Sequence, residues 1–336
     1  MLGGIGVHYR HRHTDRRRLD GAVNRRRLLA ALPALLAGCG GSKKKRIAVI
    51  PKSTAHLFWV AVRAGAMAAA NERDAEILWN GPATESDYSR QIQIVDSMIA
   101  QRVDGIAIAA AERKALVGVV ERAVASGIPV VVFDSGLDSQ SYLSFVSTGN
   151  YEAGKLAGRH LGQLLGGKGD AAIIMHAPGS FSTMDRERGF RDALREEFPA
   201  IRIVAEQFSM GDRAKARASA ENILAAHGGL HGIFASTEPA AAGIALALRA
   251  REKAGKVKFV GFDSSDAMTD DLRTGVLHAT LVQDAFKLGY EPVRILLETG
   301  QGKAPPKQID LPARLVTAAG LDKPEIRELL KPGLKK

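Results

Sequence analysis

The chain has 336 residues, 46% of them hydrophobic and 25% charged, which is too long for one ordinary domain and too apolar for a disordered segment, so two domains of roughly 130–150 residues are expected. Its net charge of +11 is uneven, since residues 1–38 hold eight arginines against two aspartates, a surplus of +6 that leaves only +5 for the rest. A basic face for nucleic acid is therefore not expected, and the one cysteine, Cys39, excludes an intrachain disulfide and a cysteine metal cluster.

Cys39 closes the segment NRRRLLAALPALLAGCGG, in which three arginines precede an apolar run from Leu28 to Gly38 and then small residues. Such a run is too short to cross a bilayer, which takes about 20 residues, but suits the apolar region of a secretory signal. Leu36-Ala37-Gly38-Cys39 resembles a bacterial lipobox, which implies a lipidated cysteine as first mature residue. Arg25-Arg26 ahead of Leu28-Leu29 resembles a twin-arginine export signal. Residues 1–38 are expected to be a signal peptide with an upstream extension, translation from near Val23 accounting for residues 1–22, and residues 39–45 a lipidated tether. Residues 1–27 offer no pair of apolar-faced helices for a DNA-binding arm.

The folded part is expected to start at Arg46. Ile47 to Ile50 form a continuous apolar run that suits a strand covered on both faces. A polar loop with Lys52, Ser53, Thr54 and His56 follows, and Phe58 and Trp59 stand where a helix reaching Asn71 should begin. The pattern then predicts strands at Glu76–Trp79, Gly105–Ala109 and Pro129–Phe133, separated by helices near Ser86–Gln101 and Glu112–Ser126, and a further strand at Ser144–Thr148. The alternation resumes with a helix over Tyr151–Leu165, a GGKG turn at Gly166–Gly169 and a strand at Ala171–Met175. Phe190, Leu194 and Phe198 mark the next helix, and strands follow at Ile201–Phe208, Gly232–Ala235, Val257–Phe262 and Ala279–Val282. Two βα arrays of this kind predict an α/β protein with two doubly wound parallel sheets.

No nucleophile elbow, phosphate loop or zinc spacing is present, and Gly154, Gly158 and Gly162 have helical spacing that marks close packing. What recurs is a polar residue just past a strand. Asp134 and Ser135 follow VVVF, Thr237 and Glu238 follow GIFAS, Asp263 follows KFVGF, Gln283 follows ATLV, His56, Phe58 and Trp59 follow IAVI, and Arg188 lies beyond AAIIM. The carboxyl ends of strands in open α/β sheets face the binding crevice, so these residues are expected to share one cleft. Each also has an ordinary role open to it: Asp134 and Asp263 as helix caps, Arg188 as a solvated helix charge, Gln283 as a loop residue, and both aromatics as helix core. Together, carboxylate, amide and guanidinium groups with aromatic faces suit a polyhydroxylated ring. They suit neither a phosphate nor a membrane.

From Arg46 to about Val316 the chain resembles the type I periplasmic sugar-binding proteins, the ribose-binding group and its relatives, through STAHLFW followed by RAGA, VVVFDS, STGNYEAG, DRERGF, FASTEPAAAGIALAL, VGFDSSD and ATLVQD. The resemblance implies two Rossmann-like domains joined by a three-strand hinge, residues 46–148 plus 284–312 and residues 149–283 plus 313–320, with a tail at 321–336. It makes Phe58 and Trp59 stacking rings, Asp134, Arg188, Asp263 and Gln283 hydroxyl-binding groups, and Phe262 a pocket wall, with Thr237 and Glu238 in the place of an Asn-Asp pair. His56 and Ala110 stand where asparagines are usual, Gly149 replaces a common aspartate, and the region around Met210 and Gly211 lacks the second-domain stacking aromatic of the family. These departures set the pocket apart from that of the ribose group. The implied protein is a monomeric, lipid-anchored receptor in the periplasm or cell envelope. It would hand a monosaccharide or related polyol to an ABC transporter permease, with no cofactor, metal or nucleic acid. The alternatives are a LacI-like regulator, which needs a DNA-binding domain, and a ligand-sensing subunit for a membrane receptor. An enzyme is not expected, because His56 has no nucleophile, metal set or cofactor loop beside it.

Overall fold

The computed structural model describes residues 43–54, 56–299 and 304–330. The signal-like segment and Cys39 lie outside the described residues. Strands β1 (Arg46–Ile50), β2 (Glu76–Trp79), β3 (Gly105–Ile108), β4 (Val130–Phe133) and β5 (Ser144–Thr148) alternate with helices α1 (Leu57–Asn71), α2 (Tyr88–Ala100) and α3 (Val117–Ala125). A second series follows: α4 (Asn150–Leu164), β6 (Lys168–Met175), α5 (Phe181–Glu197), β7 (Ala200–Phe208), α6 (Arg213–Ala226), β8 (Gly232–Ala235), α7 (Glu238–Ala250), β9 (Lys258–Phe262), α8 (Asp266–Arg273) and β10 (Ala279–Val282). The chain closes through α9 (Ala285–Glu298), β11 (Gln308–Leu311), β12 (Arg314–Val316) and α10 (Pro324–Leu330).

The strands form two six-stranded sheets, ordered β11-β5-β4-β3-β1-β2 and β12-β10-β9-β8-β6-β7. Every pairing is parallel except that of β10 with the edge strand β12. Central strands such as VVVF of β4 and GIFA of β8 are buried along their whole length, as strands with helices on both faces must be. The result is two doubly wound α/β domains. The chain passes from one sheet to the other after β5, after β10 and after β11. Because β5 neighbours β11 and β10 neighbours β12, the three passages lie side by side.

Local chemistry shifts some predicted boundaries. α3 starts at Val117 and not at Glu112, because the Glu112 carboxylate accepts the backbone N–H groups of Lys114 and Ala115 and holds that stretch as a turn. α2 starts after Asp87, whose side chain accepts the N–H of Arg90 at 3.0 Å as an N-cap. In the GGKG segment only Gly166 and Gly167 turn, since β6 already begins at Lys168.

Each domain is fastened by a helix pair that meets backbone to backbone. A Cβ at Gly65 of α1 would collide with the carbonyl oxygen of Phe286, and one at Gly289 of α9 with that of Val62. In the other domain Gly154 of α4 sits under the carbonyl of Arg186, and Gly189 of α5 under that of Tyr151. Gly158 and Gly162 extend the α4 seam against Phe190 and the ring of Phe198, the packing role their spacing suggested. Gly65→Ala and Gly289→Ala should each lower stability by about 1–3 kcal/mol, because the colliding atoms are backbone and cannot swing aside. Gly118→Ala in α3 meets only the far end of Arg122 and should stabilise by up to about 1 kcal/mol through helix propensity. Thermal melts of the three variants check this, and a Gly65→Ala protein that melts with or above the parent would contradict the seam.

Candidate functional site

The carboxyl ends of both sheets face a common cavity of about 470 Å³, part of it open to solvent. One domain supplies Lys52, His56, Leu57, Phe58 and Trp59 from the β1–α1 loop and first turns of α1, Glu85 after β2, and Asp134 after β4. The other supplies His176 after β6, Ser182, Thr183 and Arg186 from α5, Thr237, Glu238 and Pro239 at the start of α7, Asp263 after β9 and Gln283 after β10.

Two aspartates are set by the same backbone device. Asp134 and Asp263 have φ of 56° and 69°, the left-handed region that aspartate tolerates better than most residues. Each donates its backbone N–H to the neighbouring strand at 2.8 Å, to the carbonyls of Val146 and Leu281 respectively. Neither is the N-cap of the helix that follows it, although Asp263 does accept an N–H from the first residue of α7. Buried carboxylates need partners. Asp134 lies 3.3 Å from the buried ammonium of Lys52, which also donates to Ser180 Oγ at 3.2 Å and Ser182 Oγ at 3.0 Å across the cleft. Asp263 accepts from Gln283 Nε2 at 2.7 Å and from the backbone N–H of Glu238 at 3.1 Å. Burial pushes its carboxyl above the usual range, against the opposing pull of the Arg186 charge and these hydrogen bonds. Gln283 in turn accepts from Thr148 Oγ1 at 2.6 Å, tying two of the three passages together.

Arg186 is the cleft guanidinium. It lies 3.8 Å above the ring of Phe262 and donates from Nε to Asn150 Oδ1 at 2.8 Å and from Nη1 to the Ser236 carbonyl at 3.1 Å. Arg188, the arginine chosen from the sequence, points away: its side chain is 60% exposed, pairs with Asp185 at 2.8 Å and covers Tyr151. Two positions along a helix turn the side chain by about 200°, so the two arginines of DRERGF cannot share a face. The signal for the right one was present, because Arg186 precedes the buried Phe190 and Leu194 by four and eight residues. Phe262 is fully buried beneath Arg186 and does not line the cavity. Ser135 is also buried, its Oγ accepting the N–H of Ser182 from the other domain at 3.3 Å.

Trp59 fills both roles that its position allowed. Its indole is 2% exposed, meets Phe58 and Phe133 edge-on and belongs to the core of the first sheet, yet it borders the cavity. Its Nε1 donates to Glu85 Oε1 at 2.9 Å. Glu85, Lys52, His176, Ser182, Thr183 and Arg186 were not assigned from the sequence. Burial alone would push the Glu85 carboxyl up, but the hydrogen bond and charge of His176, with Lys52 and His56, hold it well below the usual carboxylate range. The domains touch elsewhere too: the N–H of Arg113 reaches the Gly179 carbonyl at 2.9 Å, and its guanidinium lies 5.2 Å above Phe181. Gly179, at φ 82°, leaves no room for a Cβ beside Glu112. Among the described residues no three His, Cys, Asp or Glu side chains are grouped to hold a metal ion.

Beneath the cavity Glu187 accepts the N–H of His176 at 3.0 Å and Ser236 Oγ at 2.9 Å. Burial raises its carboxyl above the usual range despite these bonds. The folded state then keeps the proton to higher pH than the unfolded chain. The ionised carboxylate therefore subtracts from stability above the usual range, and the penalty disappears on acidification. Glu187→Gln keeps an oxygen for both donors and removes the charge. Its melting temperature relative to the parent should be higher at about pH 7 than at about pH 4, and a relative value that is flat across that interval would contradict the assignment.

Residues 47–304 match the family described as periplasmic binding protein domain. The chain is 33% identical over 317 residues to the D-ribose/D-allose-binding protein of Pseudomonas aeruginosa, covering 88% of this chain and 99% of that one. Among solved structures it is similar to an ABC transporter solute-binding protein from Agrobacterium vitis with bound D-fucose, at 34% identity and a TM-score of 0.83, covering 85% of this chain and all of the other. A carbohydrate transporter solute-binding protein from Agrobacterium radiobacter in complex with D-arabinose gives 30% identity and the same TM-score over 86% of this chain and all of the other. With two parallel-sheet domains facing one polar cleft and a family match over most of its length, this chain belongs to the periplasmic binding proteins.

Proposed function

We propose that the protein is the exported, lipid-anchored receptor of an ABC importer, which takes a monosaccharide or related polyol into the cleft and presents it to the permease. The observation that carries the reading is the composition of the cavity wall. Asp134, Asp263, Arg186 and Gln283 are planar groups able to make paired hydrogen bonds, contributed by both domains, and the aromatic residues Phe58 and Trp59 line the cavity beside them. Relatives described as binding D-ribose or D-allose, D-fucose and D-arabinose support the ligand class. His56, Thr237 and Glu238 complete the ring of polar contacts. The buried Oγ1 of Thr237 has no hydrogen-bond partner among the described residues, which suits a ligand hydroxyl.

Capture works by closing residues 46–148 plus 284–312 onto residues 149–283 plus 313–320. Among the described residues, the three adjacent passages are the covalent links such a motion has to bend. A melting screen against D-ribose, D-allose, D-arabinose and D-fucose tests the ligand class, since a ligand at 100 times its dissociation constant adds about 2.7 kcal/mol. At least one of the four should raise the melting temperature. Asp263→Ala should then cost about 1.5–3 kcal/mol of binding, roughly ten- to 150-fold, as expected for lost hydrogen bonds to a charged group. An Asp263→Ala protein that folds and binds like the parent would refute its role.

Export and anchoring rest on the segment ending at Cys39. In protein isolated from the membranes of a producing bacterium, mass spectrometry should find Cys39 at the amino terminus carrying more than one acyl chain, because a single chain gives only marginal attachment. An unmodified Cys39 still preceded by Gly38 would contradict it.

A further inference from the structure

His176 is 2% exposed and lines the cavity, yet no reading of the sequence singled it out. It stands just past β6, on the side of the cleft away from the three passages, because β6 and β7 close the far edge of their sheet as β1 and β2 close the far edge of theirs. Its backbone is fixed by the hydrogen bond to Glu187. Its Nε2 lies 3.1 Å from Oε2 of Glu85, which comes from the other domain and whose Oε1 takes the Trp59 indole N–H. An ionised carboxylate only accepts, so Nε2 must carry the hydrogen in that contact. The other ring nitrogen, Nδ1, is buried and has no hydrogen-bond partner among the described residues.

A buried nitrogen left without a partner is costly, so a group that meets it in the closed cleft gains what the empty protein lacks. With Nε2 committed to Glu85, Nδ1 is the ring nitrogen left to meet a hydroxyl, a group that can both donate and accept a hydrogen bond. We propose that His176 reads the ligand directly, its Nδ1 sharing a hydrogen bond with one sugar hydroxyl while Glu85, from the opposite domain, fixes the ring orientation through Nε2. This rests on the cleft being the sugar site and goes beyond it, because it names a contact that favours a hydroxyl over a hydrogen or a methyl group at one carbon of the ligand. It also makes that contact conditional on closure. Only when the domains meet does Glu85 reach His176, so Glu85 is a positioning residue that acts through the imidazole.

The test uses amide isosteres. His176→Gln keeps an N–H donor near the place of Nε2 and loses the polar atom at Nδ1, whereas His176→Asn keeps a polar atom near Nδ1 and loses the donor to Glu85. Calorimetry is run with D-allose and D-ribose and then with each of their singly deoxygenated analogues. His176→Gln should bind the parent sugar about tenfold more weakly, the worth of one buried hydrogen bond. Against one deoxy analogue, the one missing the hydroxyl that Nδ1 meets, variant and parent should bind equally. A purely structural role for His176 would weaken every analogue by the same factor, and that result overturns the proposal. So does a His176→Gln protein that binds D-allose and D-ribose as the parent does. If circular dichroism shows His176→Gln unfolded, His176→Asn carries the test: it should rank the deoxy analogues as the parent does, and an altered ranking counts against Nδ1. A parent that binds neither sugar nor any of the panel above removes the reading of the cleft, and this inference with it. Binding by the parent with unaffected variants removes this inference alone.

Discussion

Taking a carboxylate out of water costs several kcal/mol unless other groups replace the water, and this protein does so repeatedly at the meeting of its two sheets. Asp263 shows how the cost is met. Its oxygens are claimed by the Gln283 amide and the Glu238 backbone, with Arg186 near enough to matter electrostatically. Gln283 is held by Thr148, and Arg186 by Asn150, Ser236 and the face of Phe262. Removing any one of these leaves a buried polar atom unsatisfied, so the site and the passages between domains are a single hydrogen-bonded object. A ligand that bonds to this object acts at the same time on the segments that link the two domains.

The two domains solve one geometric problem twice. Strand order, read from the shared edge outward, places β4 opposite β9 and β1 opposite β6. Asp134 and Asp263 follow the matching strands, each in a Phe-Asp-Ser sequence and each with left-handed backbone. Lys52 and His176 follow the other matching pair and each crosses the cleft, Lys52 to Ser180 and Ser182 and His176 to Glu85. The chemistry has diverged where the backbone has not. That allows one cavity to present an ammonium from one side and an imidazole from the other.

How much of this was legible in the sequence depended on the kind of signal. Continuous apolar strands and the residue just past each strand are local facts, so both sheets and Asp134, Asp263, Gln283, Thr237 and Glu238 could be placed from them. Arg188 failed because a motif was read without its helical phase, which two residues reverse. Glu85 and His176 had no local signature at all. Each gains its meaning from the other, 91 positions apart, and only the fold brings them together. Trp59 was read as a choice between core and cavity when its indole is large enough for both.

The paired glycines of α1 and α9 bear on the order in which the protein can form. The helix that opens the first domain closes against one more than two hundred residues later, with Gly65 beneath Phe286 and Gly289 beneath Val62. Residues 150–282, which build most of the second domain, are synthesised in between. That domain lacks only β12 and the closing α10 when β10 is made, while the first still lacks the helix and edge strand that cover its core. Contacts between remote segments carry a loop-closure cost and form late. The domain begun first is therefore the one completed last, and until α9 arrives the apolar face of α1 has no cover.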